Sequence, residues 1–216
     1  MSFQVYSFSY NNPERYAAME RRFLSVGVPL HWVPAVGPTD SEILPDDTSP
    51  RTTAMMLGHI RMLRAFLDTS GVEYGIFCED DIFLRKDFAS VVPVAIDFYQ
   101  KEQLDILLLG YLINRAPCSV SGPNDFHMLG YGDDQWGSQM YLLDKAAAQK
   151  MVDAFSDKRL VTGPYSPDWT LTKYGNRALL YPMFAVESGA VSTTHEGQVR
   201  FHRQCFEFNY RPGLHI

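Results

Sequence analysis

The chain has 216 residues, 46% of them hydrophobic and 20% charged, a composition that packs a core and excludes a disordered tail or a collagen-like fibre. Nineteen Lys and Arg against twenty-five Asp and Glu leave a formal charge of −6, with no basic run to mark a phosphate stripe. Nucleic acid is therefore excluded as a general partner, and a phosphorylated ligand would need a local device such as a metal ion.

Cys78, Cys118 and Cys205 are scattered without CxxC spacing, as expected of reduced thiols. The N-terminus has no basic flank and no apolar h-region. The longest apolar run, around 107–113, is far short of the ~20 residues that span a bilayer. These features predict a soluble, cytoplasmic chain without a transmembrane segment, at most peripheral to a membrane.

In chain order, the alternation F-Q-V-Y-S-F-S-Y predicts a strand over 3–10. Asn12-Pro13 starts a helix that Gly27 ends. A second strand follows over 30–36, then a loop over 37–50 rich in Pro, Asp, Thr and Ser. Met56, Ile60, Leu63 and Leu67 share one face of a helix over 53–69. A buried strand over 73–78 runs straight into Glu79-Asp80-Asp81.

A helix over 86–100 contains Pro93, which predicts a kink or a restart. The apolar strand over 104–112 is expected inside the sheet. Residues 114–134 read as a long loop or flap with one short strand at 126–129, the kind of loop that often carries function. A strand over 138–143, an Ala-rich helix over 145–155, a short helix over 168–174 and a strand over 179–186 complete the pattern. The tail over 192–216 shows little periodicity. Strands alternating with helices predict one α/β domain with a mostly parallel central sheet and helices on both faces.

There is no GxxxxGK[ST] loop, no GxGxxG turn and no GxSxG elbow, which disfavours P-loop, dinucleotide and α/β-hydrolase chemistry. His195, His202 and Cys205 lack the paired spacing of a structural zinc site.

The informative segment is the acidic triplet. Ligands of open α/β sheets bind outside the carboxyl ends of the strands. Three adjacent carboxylates there repel one another unless a cation joins them. Mg²⁺ and Mn²⁺ take oxygen ligands and bridge to substrate phosphates. The plain alternative is an acidic surface loop.

The stretch G-V-E-Y-G-I-F-C-E-D-D-I at 71–82 resembles the strand and acidic motif of glycosyltransferase family 25. That family includes bacterial lipopolysaccharide galactosyltransferases and collagen galactosyltransferase domains, with related sequences in large DNA viruses. N-P-E-R-Y-A-A-M-E-R-R-F at 12–23 and L-G-H-I-R-M-L-R-A-F at 57–66 are similar to its early helices. W-G-S-Q-M-Y-L-L-D-K-A-A-A at 136–148 and P-D-W-T-L at 167–171 resemble its later blocks, in the same order. The first strand and the segment after Gly189 depart from the pattern.

The resemblance implies a GT-A fold and transfer of a hexose from a UDP-sugar, UDP-glucose or UDP-galactose, to a hydroxyl of a glycan or glycoprotein acceptor. It implies Mn²⁺ or Mg²⁺ held by Asp81, with Glu79 or Asp80 on the ribose, the metal or its waters, and with His195 preferred to His202 as a further ligand. Phe8, Ser9 and Tyr10 would lie at the donor nucleoside, Arg15 at a phosphate or an acidic neighbour, and His59 with Arg61 or Arg64 at the diphosphate. Asp168 would be the base of an inverting transfer, with Asp134 and Asp133 as alternatives.

For each of these there is a plainer role: Asp168 as an N-cap, Phe8 and His59 as core, Arg15 as a solvated face. Trp136 is a candidate platform for a sugar ring. The family's usual length also allows the chain to be one domain of a longer protein. The competing readings are a metal-dependent phosphohydrolase and a non-catalytic module that binds nucleotide sugars or carbohydrate.

Overall fold

The computed structural model describes residues 1–44, 49–190 and 195–216. Part of the expected 37–50 loop and the residues just before His195 lie outside that set. The elements are β1 (Phe3–Ser7), α1 (Pro13–Ser25), β2 (Leu30–Trp32), α2 (Pro50–Asp68), β3 (Tyr74–Cys78), β4 (Ile82–Leu84) and α3 (Phe88–Lys101). They continue with β5 (Ile106–Leu112), β6 (His127–Leu129), β7 (Trp136–Asp144), α4 (Lys145–Phe155), β8 (Arg177–Tyr181), β9 (Ala185–Glu187) and α5 (Glu196–Asn209).

The main sheet runs in the order β2-β1-β3-β7-β5-β8-β6. β1 pairs parallel to β2 and β3, and β5 parallel to β8. β7 lies antiparallel between β3 and β5, and β6 is antiparallel on the far edge. The sheet is thus mixed, with most strands sharing one direction. β4 and β9 form a separate antiparallel pair that places Ile82 opposite Glu187.

Period-two burial sorts the strand side chains onto two faces. Ile76 and Leu142 point to one face and pack with Met19 and Phe23 of α1 and with Val92 and Ile96 of α3. Phe77, Tyr141 and Leu143 point to the other and pack with Met56, Ile60 and Leu63 of α2 and with Met151 of α4. The sheet is covered on both faces, as predicted.

Local chemistry explains several boundaries. Asn12 caps α1, its side chain accepting from the Arg15 backbone N–H at 3.0 Å, and Pro13 takes the first helical position. The C-terminal carbonyls of α2 are satisfied by Lys145, whose Nζ donates to Phe66 O at 2.8 Å and Leu67 O at 2.9 Å. The fully buried Arg85 guanidinium donates to Asp87 through Nε at 2.8 Å and Nη2 at 2.7 Å and to Pro123 O at 2.7 Å, which pins the long loop after β5.

The structure corrects the sequence reading at several points. β1 ends at Ser7, so Phe8, Ser9 and Tyr10 belong to the turn into α1. Pro93 sits inside α3 without ending it. The expected helix over 168–174 is only a 3-10 turn at Leu171–Lys173. The expected strand over 179–186 is divided into β8 and β9, with a cis Tyr181–Pro182 bond between them. The tail holds a 14-residue helix, α5, whose single fully buried residue, Cys205, left little periodic signal.

Candidate functional site

Four carboxylates gather where β3 ends. Glu79 follows β3 directly; its backbone N–H donates to Gln139 O at 3.1 Å, and its Oε1 accepts from the Ser138 hydroxyl at 2.7 Å. Asp81 leads into β4, and its carbonyl accepts from the Ser188 N–H at 2.8 Å. The β4–β9 register then brings in Glu187, which accepts from Gln139 Nε2 at 3.3 Å and contacts His202 Nδ1 at 2.8 Å. Asp168 comes from the loop between α4 and β8, its Oδ1 accepting the Gly137 N–H at 2.9 Å.

Gly137 is required at that junction. Its φ is +109°, and a Cβ there would strike the Gln139 side chain.

These groups are buried together, which sets their protonation. Burial pushes the Glu79 carboxyl well up, and the charges of Asp81, Asp168 and Glu187 add to the effect against the Ser138 hydrogen bond. Burial and then Glu187 push Asp81 up to about 7, against the opposing pull of Arg15 and His202. Burial also raises Asp168, although the Gly137 N–H and Lys173 favour its ionised form. Burial disfavours the His202 cation, but the hydrogen bond to Glu187 and that carboxylate's charge outweigh it and raise its pKa.

One cation already bridges part of the set. The Arg15 Nη1 lies 3.1 Å from Asp80 Oδ1 and 3.2 Å from Asp81 Oδ2, and Nη2 donates to Ala190 O at 3.4 Å. Asp80 also accepts from the Ser9 hydroxyl. Asp81 Oδ1, by contrast, is buried without a hydrogen-bond partner. An orphaned carboxylate oxygen amid further carboxylates is what a hard divalent cation would complete.

Among the described residues no three His, Cys, Asp or Glu side chains converge as a finished cage. The donor set fits the habit of Mg²⁺, which takes one or two carboxylates and completes its shell with substrate phosphates.

The remaining predicted residues fall in distinct places. Phe8 packs edge-on to His59 at 5.5 Å, and a Cβ at Gly58 would meet its ring at 2.8 Å, so α2 supports Phe8 from below. Tyr10 is 44% exposed and lies over Gly37. Ser9 and Arg15 thus lie against Asp80, while Phe8 and Tyr10 belong to the same turn but pack toward His59 and Gly37.

His59 is fully buried and bonded through Nδ1 to the Tyr141 hydroxyl at 2.8 Å. It therefore occupies a supporting place beneath Phe8, with no surface from which to touch a diphosphate. Arg61 holds the loop after β2 through Pro34 O and Ala35 O, and Arg64 is exposed. Asp134 is exposed in the turn before β7, and Asp133 is paired with Arg177 at 2.7 Å. His195 is exposed at the N-cap of α5.

The histidine brought onto the carboxylates is His202, two turns further along α5. Sequence reasoning missed Glu187, Gln139 and Ser138 as members of this set, because only strand pairing puts them beside the triplet. The strand expected over 138–143 included Ser138 but did not give its partner.

No family model matches the chain, and no curated protein matches it. Among solved structures, a glycosyltransferase involved in the glycosylation of the major capsid of PBCV-1 is similar with a TM-score of 0.51 at 11% identity, over 94% of this chain and 99% of that one. The protein A197 from STIV gives 0.46 at 12% identity, over 86% and 83%. S. aureus TarS 1-349 gives 0.43 at 13% identity, over 88% and 61%. The likeness to the capsid-modifying enzyme extends over nearly the whole of both chains, and the fold of this chain is accordingly GT-A-like, a mixed α/β sheet sandwiched between helices.

Proposed function

We propose that the chain is a metal-dependent glycosyltransferase that moves a hexose from a UDP-sugar to a hydroxyl of a glycan or glycoprotein acceptor. The observation that carries this reading is the buried carboxylate set at the carboxyl end of β3, with Asp81 Oδ1 left unpaired in its midst. A GT-A-like fold, the resemblance to family 25 and the capsid-glycosylating relative in structure all support it. Mn²⁺ or Mg²⁺, when bound, would neutralise the charge that develops on a departing diphosphate.

The chain's own residues then take separable roles. Asp81 offers the metal ligand, with Glu187, itself held by His202, as the next carboxylate. Asp80 is oriented by Ser9 and Arg15, and Phe8 and Tyr10 of the same turn would meet the nucleoside. Asp168 is the base. Its burial raises its pKa toward the range in which a carboxylate accepts a proton efficiently from an acceptor hydroxyl, and the Gly137 N–H fixes its orientation. A base separate from the donor's metal suits an inverting displacement.

The test is a calorimetric titration of UDP-glucose and UDP-galactose with and without Mn²⁺, followed by assay of released UDP. Metal-dependent binding of one donor and slow UDP release, both lost in Asp81→Ala, are expected. Absence of nucleotide-sugar binding under every metal condition sinks the proposal. Binding without any UDP release identifies a non-catalytic module, and turnover of simple phosphate esters alone identifies a phosphohydrolase.

A further inference from the structure

Two tryptophans that are far apart in sequence meet at the surface, each next in sequence to a partner in the Gly137–Asp168 hydrogen bond. Trp136 opens β7, and Trp169 follows Asp168 in the loop before the 3-10 turn. Their ring centroids lie 4.6 Å apart at an interplanar angle of 83°. They remain 39% and 43% exposed despite that contact. Isolated exposed apolar side chains are ordinary, but a pair of large aromatics held together at the surface is not.

Their indole N–H groups are also unspent among the described residues. Trp32 differs, since its Nε1 donates to Glu20 and its ring stacks on Tyr16 at 4.1 Å.

The backbone ties this pair to the carboxylates. Gly137, next to Trp136, donates its N–H to Asp168, the residue next to Trp169. Ser138 carries the line onward to Glu79 at 2.7 Å. One hydrogen bond thus joins the base candidate to the strand start, and each of its two partners is next in sequence to one of the tryptophans. A hexose presents an apolar C–H face and a ring of hydroxyls. Two perpendicular indoles offer a face for the first and free N–H donors for the second.

We infer that Trp136 and Trp169 form the acceptor subsite, a platform on which a hexose ring of the acceptor lies with a hydroxyl directed to Asp168. This rests on the transferase reading above and names the class of acceptor, a glycan end with an exposed sugar ring in place of a bare protein hydroxyl.

The test follows the indole N–H signals of the protein by NMR while methyl β-D-galactopyranoside or methyl β-D-glucopyranoside is added. The signals of Trp136 and Trp169 should shift with one of the glycosides and that of Trp32 should not. Trp169→Ala and Trp136→Ala should each weaken that binding by about tenfold, the scale of losing one stacked contact. Trp32→Phe should leave it unchanged.

Shifts confined to Trp32, no shift with either glycoside, or unchanged affinity in both alanine variants overturns the platform. The wild-type readout needs no variant, so misfolding of a variant does not blur the result. UDP-sugar binding without a glycoside response refutes the platform alone. A glycoside response in a protein that binds no UDP-sugar refutes its acceptor role together with the transferase reading.

Discussion

His59 makes the protein sensitive to acid in a way that one substitution isolates. Burial drives its pKa from the usual 6.5 down to about 3, because no exposed surface hydrates the imidazolium and the Nε2 has no partner. The folded state therefore keeps the ring neutral while the unfolded chain protonates it below about pH 6.5. The unfolded state binds the extra proton, so stability is full above that point and falls as pH drops toward the folded pKa.

The slope from this one group is roughly 1.4 kcal/mol per pH unit, or about 2.7 kcal/mol lost by about pH 4.5. His59→Asn keeps a hydrogen-bonding atom near Nδ1 for the Tyr141 hydroxyl and removes the titration. It leaves a small void, which should cost about 1–3 kcal/mol at neutral pH. Denaturant unfolding between about pH 7 and 4.5 would show the wild type losing about 2–3 kcal/mol more than the variant over that range. The carboxylates contribute equally to both proteins and cancel in the difference. Parallel pH profiles for the two proteins would refute a buried neutral His59.

Asp81→Asn removes one charge from a crowded buried set. It should raise the thermal midpoint of the metal-free protein by about 2–4 °C while abolishing any stabilisation by Mn²⁺, read by calorimetric scanning; a lowered midpoint would show that the carboxylates do not repel. Arg15→Gln should destabilise the chain by about 1–3 kcal/mol, since Asp80 and Asp81 lose their shared counter-charge. Arg15→Lys should recover part of that loss, because Nη1 alone meets both carboxylates and an ammonium forgoes only the Nη2 contact with Ala190 O; no recovery in urea unfolding would contradict the bridging geometry. Gly137→Ala forces a side chain into a left-handed backbone against Gln139 and should cost about 2–4 kcal/mol and disorder the Asp168 contact, visible as a collapse of the unfolding midpoint.

Much of the fold was legible along the chain. Period-two alternation over β1, continuous apolar runs at β3 and β5, and the Asn-Pro start of α1 are signals carried by neighbouring residues, and each element formed near its expected place. The position of the acidic triplet at a strand end was equally local, because the buried run stops where the carboxylates begin.

Tertiary structure decided what those carboxylates meet. β7 inserts antiparallel between β3 and β5 and so sets Ser138 beside Glu79. β4 pairs with β9 and so sets Glu187 beside Asp81. α5 lies where His202 reaches Glu187, and a single backbone hydrogen bond draws Trp169 to Trp136. The pairs in question are separated by 15 to 106 residues, as from Glu187 to His202 or from Asp81 to Glu187. Sequence spacing reports which way a side chain faces on its own element. Which residue lies opposite is set by strand register and packing, and at that distance along the chain no local propensity encodes it.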